Sequence, residues 1–378
     1  MSNPQEDARW MSRAIQLARQ GLYSTHPNPR VGCVLVRDGE VVGEGAHLRA
    51  GGPHAEVVAL QAAGERARGA TAYVTLEPCS HHGRTPPCAD ALIRAGVTRV
   101  VAAMVDPNPR VSGRGLKRLQ QAGIETTSGV LETDAAALNP GFIHRMRHGT
   151  PWVRVKLAAS LDGRTAMASG ESRWITGAAA RRDVQKLRAR SSAIITGIET
   201  VLADDCQLTV RDAELIGRRG EQPLRVVLDS RLRMPEQAAL LRAEGPVWIV
   251  CTPAAISANA ARAAALSRRA GTRLVSLEPG ADGRLPLDTI LEALGAAEIN
   301  EVLVEAGATL AGAFVAARRV HELWWYQAPL LMGEKARSAL CLPGLERLAD
   351  APRWHIRDAR PVGEDWRWIL EAAECSPD

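Results

Sequence analysis

The sequence predicts an α/β fold divided into two domains, and three features carry the prediction. The chain has 378 residues, more than one ordinary core accommodates and comfortable for two. Short apolar runs of strand length alternate with amphipathic helical segments along most of it. A linker is expected near 140–151, where Asn139-Pro140-Gly141 and Gly149-Thr150-Pro151 flank a basic segment and separate two halves with different motifs. The domains are accordingly placed at 1–147 and 148–372.

Residues 7–20 space Ala8, Met11, Ile15 and Ala18 by three and four, which predicts an amphipathic helix. Pro27-Asn28-Pro29 interrupts helical structure ahead of a strand at 31–36; Asp38-Gly39 makes a turn, and Val41-Val42 begin the antiparallel return. Gly51-Gly52-Pro53 leads into a helix carrying His54 and Glu56. Tyr73 to Leu76 reads as a central strand that feeds Cys79 in a loop and Cys88 near the start of a helix through 95. A strand over Val97 to Val105 and a helix over Gly115 to Ala122 follow. In the second half, Val153 to Leu157 predicts a strand and 177–190 a helix, with Thr176 as N-cap and Val184 and Leu187 facing inward. Further strands are expected at 192–196, 225–229, 247–251 and 273–277, and the alanine-rich 254–265 reads as a surface helix. Glu301 to Gly307 is a buried strand ending in glycine. It runs directly into a helix over Leu310 to Ala317, a junction suited to phosphate binding.

Apolar residues make up 46% and charged ones 24%, the balance of a globular protein, and aromatics at 4% imply an aliphatic core. No apolar run opens the chain and none approaches the ~18 residues of a membrane span, so a cytoplasmic protein off the membrane is expected. Seven irregularly spaced cysteines point to a reducing compartment. Cys33, Cys206, Cys251, Cys341 and Cys375 read as small hydrophobes or surface thiols. The net charge of +5 is modest, and the arginine clusters at 181–182, 218–219 and 318–319 do not alternate with stacking aromatics. Nucleic acid is therefore not an expected partner, whereas small phosphorylated ligands are.

The chemistry is carried first by His54-Ala55-Glu56 followed by Cys79 and Cys88. One imidazole and two thiols are the ligand set of a catalytic zinc site that leaves a position for water. The metal lowers the pKa of that water, and Glu56 takes its proton and delivers it to a leaving amine. This predicts hydrolytic deamination of an amino-substituted base. The second cysteine follows the first by nine residues instead of the usual three, so spacing alone leaves open a satisfied histidine beside a solvent-facing glutamate. The intervening 80–87 stretch is too polar and kinked for a core and long enough to arch over a ligand. Asn28, between two prolines, presents its amide at little entropic cost. His82 and Arg84 lie in the inter-cysteine loop, placed to cover a base or reach a phosphate. Asp106 and Asn108 end a strand at the same pocket, although a turn at Asp-Pro-Asn-Pro needs no ligand to explain it.

At this point the chain resembles the bifunctional riboflavin biosynthesis family, a fused pyrimidine deaminase and reductase. The match runs through T-H-P-N-P-R-V-G-C-V at 25–34, P-H-A-E at 53–56, T-L-E-P-C-S-H-H-G-R-T-P-P-C at 75–88 and D-P-N-P-R-V-S-G-R-G at 106–115. The long cysteine spacing is a hallmark of that family. The second half continues it with K-L-A-A-S-L-D-G-R-T-A at 156–166, S-R-W-I-T at 172–176, R-A-R-S-S-A-I-I-T-G at 188–197, T-V-L-A-D-D at 200–205 and V-E-A-G-A-T-L-A-G at 304–312. No G-x-G-x-x-G follows a strand, and Gly113-Arg114-Gly115 lacks the third glycine, which disfavours a Rossmann domain.

The resemblance implies a cytidine deaminase-like three-layer domain followed by a dihydrofolate reductase-like α/β domain. It implies one zinc per chain on His54, Cys79 and Cys88, and Glu56 as proton shuttle. The implied substrate is the 2,5-diamino-6-ribosylamino pyrimidinone 5′-phosphate, whose ribosyl group NADPH then reduces to ribityl. Carried over, Ala158, Trp174, Thr200, Asp204, Ser230 and Gly307 look like cofactor contacts. Ser172, Arg188, Leu208, Arg211 and Glu305 look like contacts to the second substrate, with Arg188 and Arg211 forked on its phosphate. Either Asp204 or Lys156 would assist the reduction. Cys206 and Ala308 depart from the family, which favours proline at both positions. A homo-oligomer is expected. Two other readings stay open: a nucleoside or tRNA deaminase with an unrelated appended domain, and a second half that serves only to dimerise the first.

Overall fold

Asn3 accepts the Gln5 amide through its side chain and Pro4 takes the first helical position, so helix α1 (Pro4–Ala18) begins three residues before the expected start at residue 7. The structure, a computed structural model, describes residues 3–80, 87–109 and 111–373. They form two units that divide between Gly149 and Thr150.

In the first unit β1 (Gly32–Arg37) and β2 (Glu40–Ala46) make the expected hairpin. Asp38 and Gly39 both carry positive φ, 54° and 76°, as a two-residue turn between twisted strands requires. With β3 (Thr71–Val74), β4 (Arg99–Ala102) and β5 (Glu125–Ser128) the sheet is ordered β2-β1-β3-β4-β5, antiparallel about β1 and parallel from β3 to β5. Alternation along β1 sends Cys33 and Leu35 to one face, where α2 (Ala55–Ala63), α3 (Cys88–Ala95) and α4 (Arg114–Gln121) pack, and Val34 and Val36 to the other, under α1. The result is a three-layer sandwich. A Cβ on Gly43 or Gly45 would come within 2.3 Å of Ala59 O or 2.2 Å of Ala55 O. Bare backbone on β2 therefore lets α2 lie close on the sheet and fixes where His54 and Glu56 stand.

The segment expected to link the domains is mostly structured. After α5 (Glu132–Ala136), α6 (Pro140–His148) buries Phe142 and Ile143 against Leu76 and Met104. Its apolar pair makes it part of the first unit's core, and the passage between units narrows to Gly149-Thr150.

The second unit is built on β6 (Trp152–Ser160), β7 (Arg164–Ala166), β8 (Ala193–Gly197), β9 (Leu224–Leu228), β10 (Val247–Cys251), β11 (Thr272–Ser276), β12 (Glu301–Val304), β13 (Glu322–Ala328), β14 (Arg337–Ser338), β15 (Trp354–Val362) and β16 (Asp365–Ala372). Nine of these form one sheet, β11-β10-β9-β8-β12-β6-β13-β16-β15, parallel from β11 to β13 and closed by the antiparallel β16–β15 hairpin; β7 and β14 pair separately. Its parallel strands are apolar on both faces, with Ile194, Val227, Ile249 and Leu303 in one core and Ile195, Val226, Val250 and Val302 in the other. At the amino ends of β6, β12 and β13, Arg154 is fully buried between Glu301 and Glu322, donating Nε to Glu322 Oε2 at 2.7 Å and Nη1 to Glu301 Oε2 at 2.5 Å.

Two local expectations are corrected. Helix α7 (Ala178–Arg190) is capped by Gly177 and not Thr176. The Gly177 amide donates to the Asp365 carboxylate at 2.7 Å, while Thr176 turns its carbonyl to Arg181. The alanine-rich tract is two helices, Pro253–Ala258 and Ala260–Ser267, because Asn259 bonds its side-chain amide back to Ala255 O. Ala255, Ala263 and Leu266 are buried, so the tract is not merely surface. Among the described residues no helix is long and apolar enough to cross a membrane.

Candidate active sites

In the first unit three elements converge at the end of the sheet. His54 is the N-cap of α2, Cys79 follows β3 in a loop, and Cys88 opens α3. His54 Nδ1 lies 3.2 Å from Cys88 Sγ and 3.7 Å from Cys79 Sγ, and the Cys88 amide donates to Cys79 Sγ at 3.3 Å. The three ligand atoms all fall within 4.8 Å of one another. This soft nitrogen–sulfur set fits zinc. The two thiols share a proton unequally: bonding to Cys88, against the effect of burial, brings Cys79 down to about 4, while the bond to Cys79 holds Cys88 up.

Glu56 sits in the first turn of α2, buried, with Oε2 lacking a hydrogen-bond partner among the described residues. Burial pushes its carboxyl up to about 7, opposed by His54 and reinforced by Cys79. Asn28 donates its amide to His47 Nε2 at 3.1 Å, because His47 Nδ1–H is committed to Pro53 O at 2.9 Å. That leaves the Asn28 carbonyl oxygen for another partner. Asp106 is buried and Asn108 half-buried; burial lifts the Asp106 carboxyl to about 6, against the Asn108 amide it accepts at 2.8 Å. His82 and Arg84 lie outside the described residues.

In the second unit several of the residues expected from sequence lie toward the carboxyl ends of the parallel strands, the edge where open α/β sheets hold ligands. Ala158 lies two residues before the end of β6, Thr200 lies in α8 (Ile198–Asp204) just beyond β8, Ser230 follows β9, and Glu305-Ala306-Gly307 follows β12. Gly307 is the N-cap of the helix Ala308–Ala316, and a Cβ there would meet nothing within 4 Å, so open space faces the helix start. Thr196 Oγ1 and Asp229 Oδ1, at the ends of β8 and β9, are buried without hydrogen-bond partners among the described residues. Open backbone at a helix start beside orphaned polar atoms fits a dinucleotide cofactor.

Arg188 is already committed. Its Nε and Nη2 grip Glu305 at 2.6 and 2.8 Å, and Nη1 donates to Thr209 O at 3.0 Å. The fork expected to hold a phosphate is thus spent on a carboxylate, and the charge of Arg211 also reaches Glu305. Burial pulls the Lys156 ammonium below its usual range, with Glu305 opposing and Arg188 adding to the shift. Asp204 ends α8, its carboxylate half-exposed and facing Arg173 at 3.6 Å. Leu208 is buried with φ of 52°, a backbone an L residue seldom adopts. Ser172 and Trp174 are in a loop, Trp174 exposed and under the Arg181 guanidinium at 4.5 Å.

Comparison with known proteins decides the family. Residues 151–367 match the RibD C-terminal domain, and residues 4–104 match the cytidine and deoxycytidylate deaminase zinc-binding region. The riboflavin biosynthesis protein RibD of Escherichia coli (strain K12) is 54% identical over 95% of this chain and 98% of its own. The chain belongs to the RibD family. A solved Acinetobacter baumannii RibD superposes with a TM-score of 0.89 at 47% identity, covering 98% of this chain and all of its own. A diaminohydroxyphosphoribosylaminopyrimidine deaminase / 5-amino-6-(5-phosphoribosylamino)uracil reductase from Thermotoga maritima does so at 0.83 and 30%, covering 98% and 99%.

Like its RibD relatives, the chain is an enzyme of riboflavin biosynthesis with deaminase and reductase activities, using zinc and NADPH. The two positions expected from the resemblance to depart from proline are both among the described residues. Cys206 is half-buried, its thiol raised to about 11 by burial and then Asp204; Ala308 accepts the Cys341 amide at 3.1 Å. Sequence reasoning did not find His47, Thr196 or Asp229. His47 gave a weak signal, lying one residue past β2 and seven before His54.

Proposed function

We propose that residues 1–147 deaminate 2,5-diamino-6-(5-phospho-ribosylamino)pyrimidin-4(3H)-one and that residues 148–372 reduce the product to 5-amino-6-(5-phospho-ribitylamino)uracil. The observation that carries the first half is the His54–Cys79–Cys88 cluster beside a buried Glu56 with an unused oxygen. Zinc held there supplies Lewis acidity that activates water. Glu56 accepts the water's proton and hands it to the departing amine, a task suited to a carboxyl that titrates near 7. Asn28, Asp106 and Asn108 orient the pyrimidine, and His82 and Arg84 are assigned to the base or its phosphate. Water enters and ammonia leaves, so the ring carbon exchanges C–N for C=O.

In the second half, Gly307, Ser230, Thr200, Asp204, Ala158 and Trp174 are assigned to the cofactor, and Ser172, Leu208, Arg211, Glu305 and Arg188 to the sugar phosphate. NADPH supplies the reducing equivalents. Arg211 holds the phosphate, Arg188 keeps Glu305 in place, and Lys156, in preference to Asp204, assists at the sugar. That preference rests on the desolvation of the Lys156 ammonium beside Glu305, whereas the half-exposed Asp204 carboxylate faces Arg173. The protein is assigned to the cytoplasm as a homo-oligomer.

Glu56→Gln tests the assignment. It should retain about one zinc per chain, release no ammonia, and still oxidise NADPH when given the already deaminated substrate. Normal ammonia release would refute the role of Glu56. Cys88→Ala should lose the zinc, and unchanged metal content would refute the ligand set.

A further inference from the structure

The glycine pair at 113 and 115, which fails as a dinucleotide motif, has another use in the first unit. Glu77 is buried at 3% exposure between β3 and Cys79, and its carboxylate accepts from four backbone N–H groups among the described residues. Oε2 takes Asp106 at 3.1 Å and Gly113 at 2.8 Å; Oε1 takes Gly115 at 2.7 Å and Leu116 at 3.3 Å. Gly113 is the N-cap of α4 and has no side chain to offer, so Glu77 caps that helix from a distant part of the chain. Gly115 allows the approach, since a Cβ there would stand 2.0 Å from Pro78 O.

The grip joins two segments of the deaminase site. Glu77 is two residues from Cys79, and its own amide donates to Met104 O at 3.0 Å. At the other end it holds Asp106, whose Oδ1 fixes the Asn108 amide, while Asn108 O receives Val111 and Ser112. The Asp106–Asn108 loop thus has its near end and, through Gly113, its far end tied to one carboxylate. From this we infer that Glu77 is a positioning residue of the deaminase, setting the distance between the pyrimidine-orienting loop at Asp106–Asn108 and the ligand Cys79. The inference rests on the proposed role of Asp106 and Asn108.

Glu77→Gln in the full chain is the test. Glutamine has the same shape, but its NH2 faces amide donors where an oxygen accepted them, so half of the grip turns repulsive. Zinc content and the reductase reaction on the deaminated substrate should be unchanged. The deaminase KM for the diaminopyrimidinone ribosyl phosphate should rise roughly tenfold or more while kcat changes less than about threefold, the signature of lost binding and not of lost chemistry. An unchanged KM would overturn the inference. Asn108→Ala separates it from the reading beneath it. If Asn108→Ala raises KM and Glu77→Gln does not, Glu77 is not the positioner. If Asn108→Ala also leaves KM unchanged, the loop does not hold substrate and both fall. Should Glu77→Gln lose its zinc or its fold, Gly113→Ala decides: at φ of 78° it displaces one donor and keeps the carboxylate. A raised KM there supports the inference and an unchanged one overturns it.

Discussion

Glu56 and Lys156 face the same physical problem with opposite signs. Each is an ionisable group whose charged form is disfavoured by burial, which raises the carboxyl and lowers the ammonium toward the range in which proton transfer is easy. Lys156→Met should therefore slow reduction by roughly tenfold or more with NADPH affinity little changed, whereas Asp204→Asn should leave kcat close to its starting value. Single-turnover reduction with a parallel fluorescence titration separates the two; a larger kcat loss in Asp204→Asn would reverse the assignment. Arg211→Ala should weaken the sugar phosphate by about 2 kcal/mol, ~30-fold in KM, at unchanged NADPH affinity. Arg188→Ala should cost more and should also destabilise the unit, because it strands Glu305 buried and unpaired. Equal effects on NADPH binding would place both arginines on the cofactor. The residues themselves were legible because they sit in short local strings such as P-H-A-E and V-E-A-G. Their pairing was not: Arg188 and Glu305 are 117 residues apart, and nothing local marks one as the other's partner.

Elements place these residues through backbone approach and buried charge. Helix α2 reaches its position over two glycines of β2, and the amino edge of the reductase sheet is pinned by Arg154 between Glu301 and Glu322. Burial pushes the Glu322 carboxyl up, but Arg154 and then Arg190 pull it further down, to about 2. A depressed folded-state pKa contributes stability above the ordinary carboxylate value of ~4.3, and the contribution is lost as pH falls toward 2. Arg154→Leu should destabilise the second unit by about 3–5 kcal/mol at pH 7. The deficit should shrink as acid protonates the stranded carboxylates. Urea unfolding at pH 7 and pH 5 checks both, and a deficit that grew with acidity would contradict the pairing. Strands bounded by turns were readable, as at 247–251, which β10 reproduces. The α7 start was not, because Asp365, 188 residues away, takes the amide of the N-cap Gly177. The final hairpin, β15 and β16, was missed because every β15 position and most β16 positions are exposed or half-buried, which weakens the alternation a strand shows in sequence.

Across the molecule two units with separate cores each hold one chemistry, the first at the end of a mixed sheet and the second at the carboxyl edge of a parallel one. Removing zinc with a chelator should abolish ammonia release and leave NADPH-dependent reduction of the deaminated substrate intact. The division into halves was visible in the change of motif near 150, whereas the place of α6 in the first core depended on tertiary burial of Phe142 and Ile143. The most direct measurement is a coupled assay on the diaminopyrimidinone ribosyl phosphate that follows ammonia and NADPH together. One NADPH should be consumed for each ammonia released, with ammonia appearing first and no NADPH oxidised by Glu56→Gln on the undeaminated substrate. NADPH oxidation without ammonia release, or ammonia release that no NADPH consumption follows, would contradict the account.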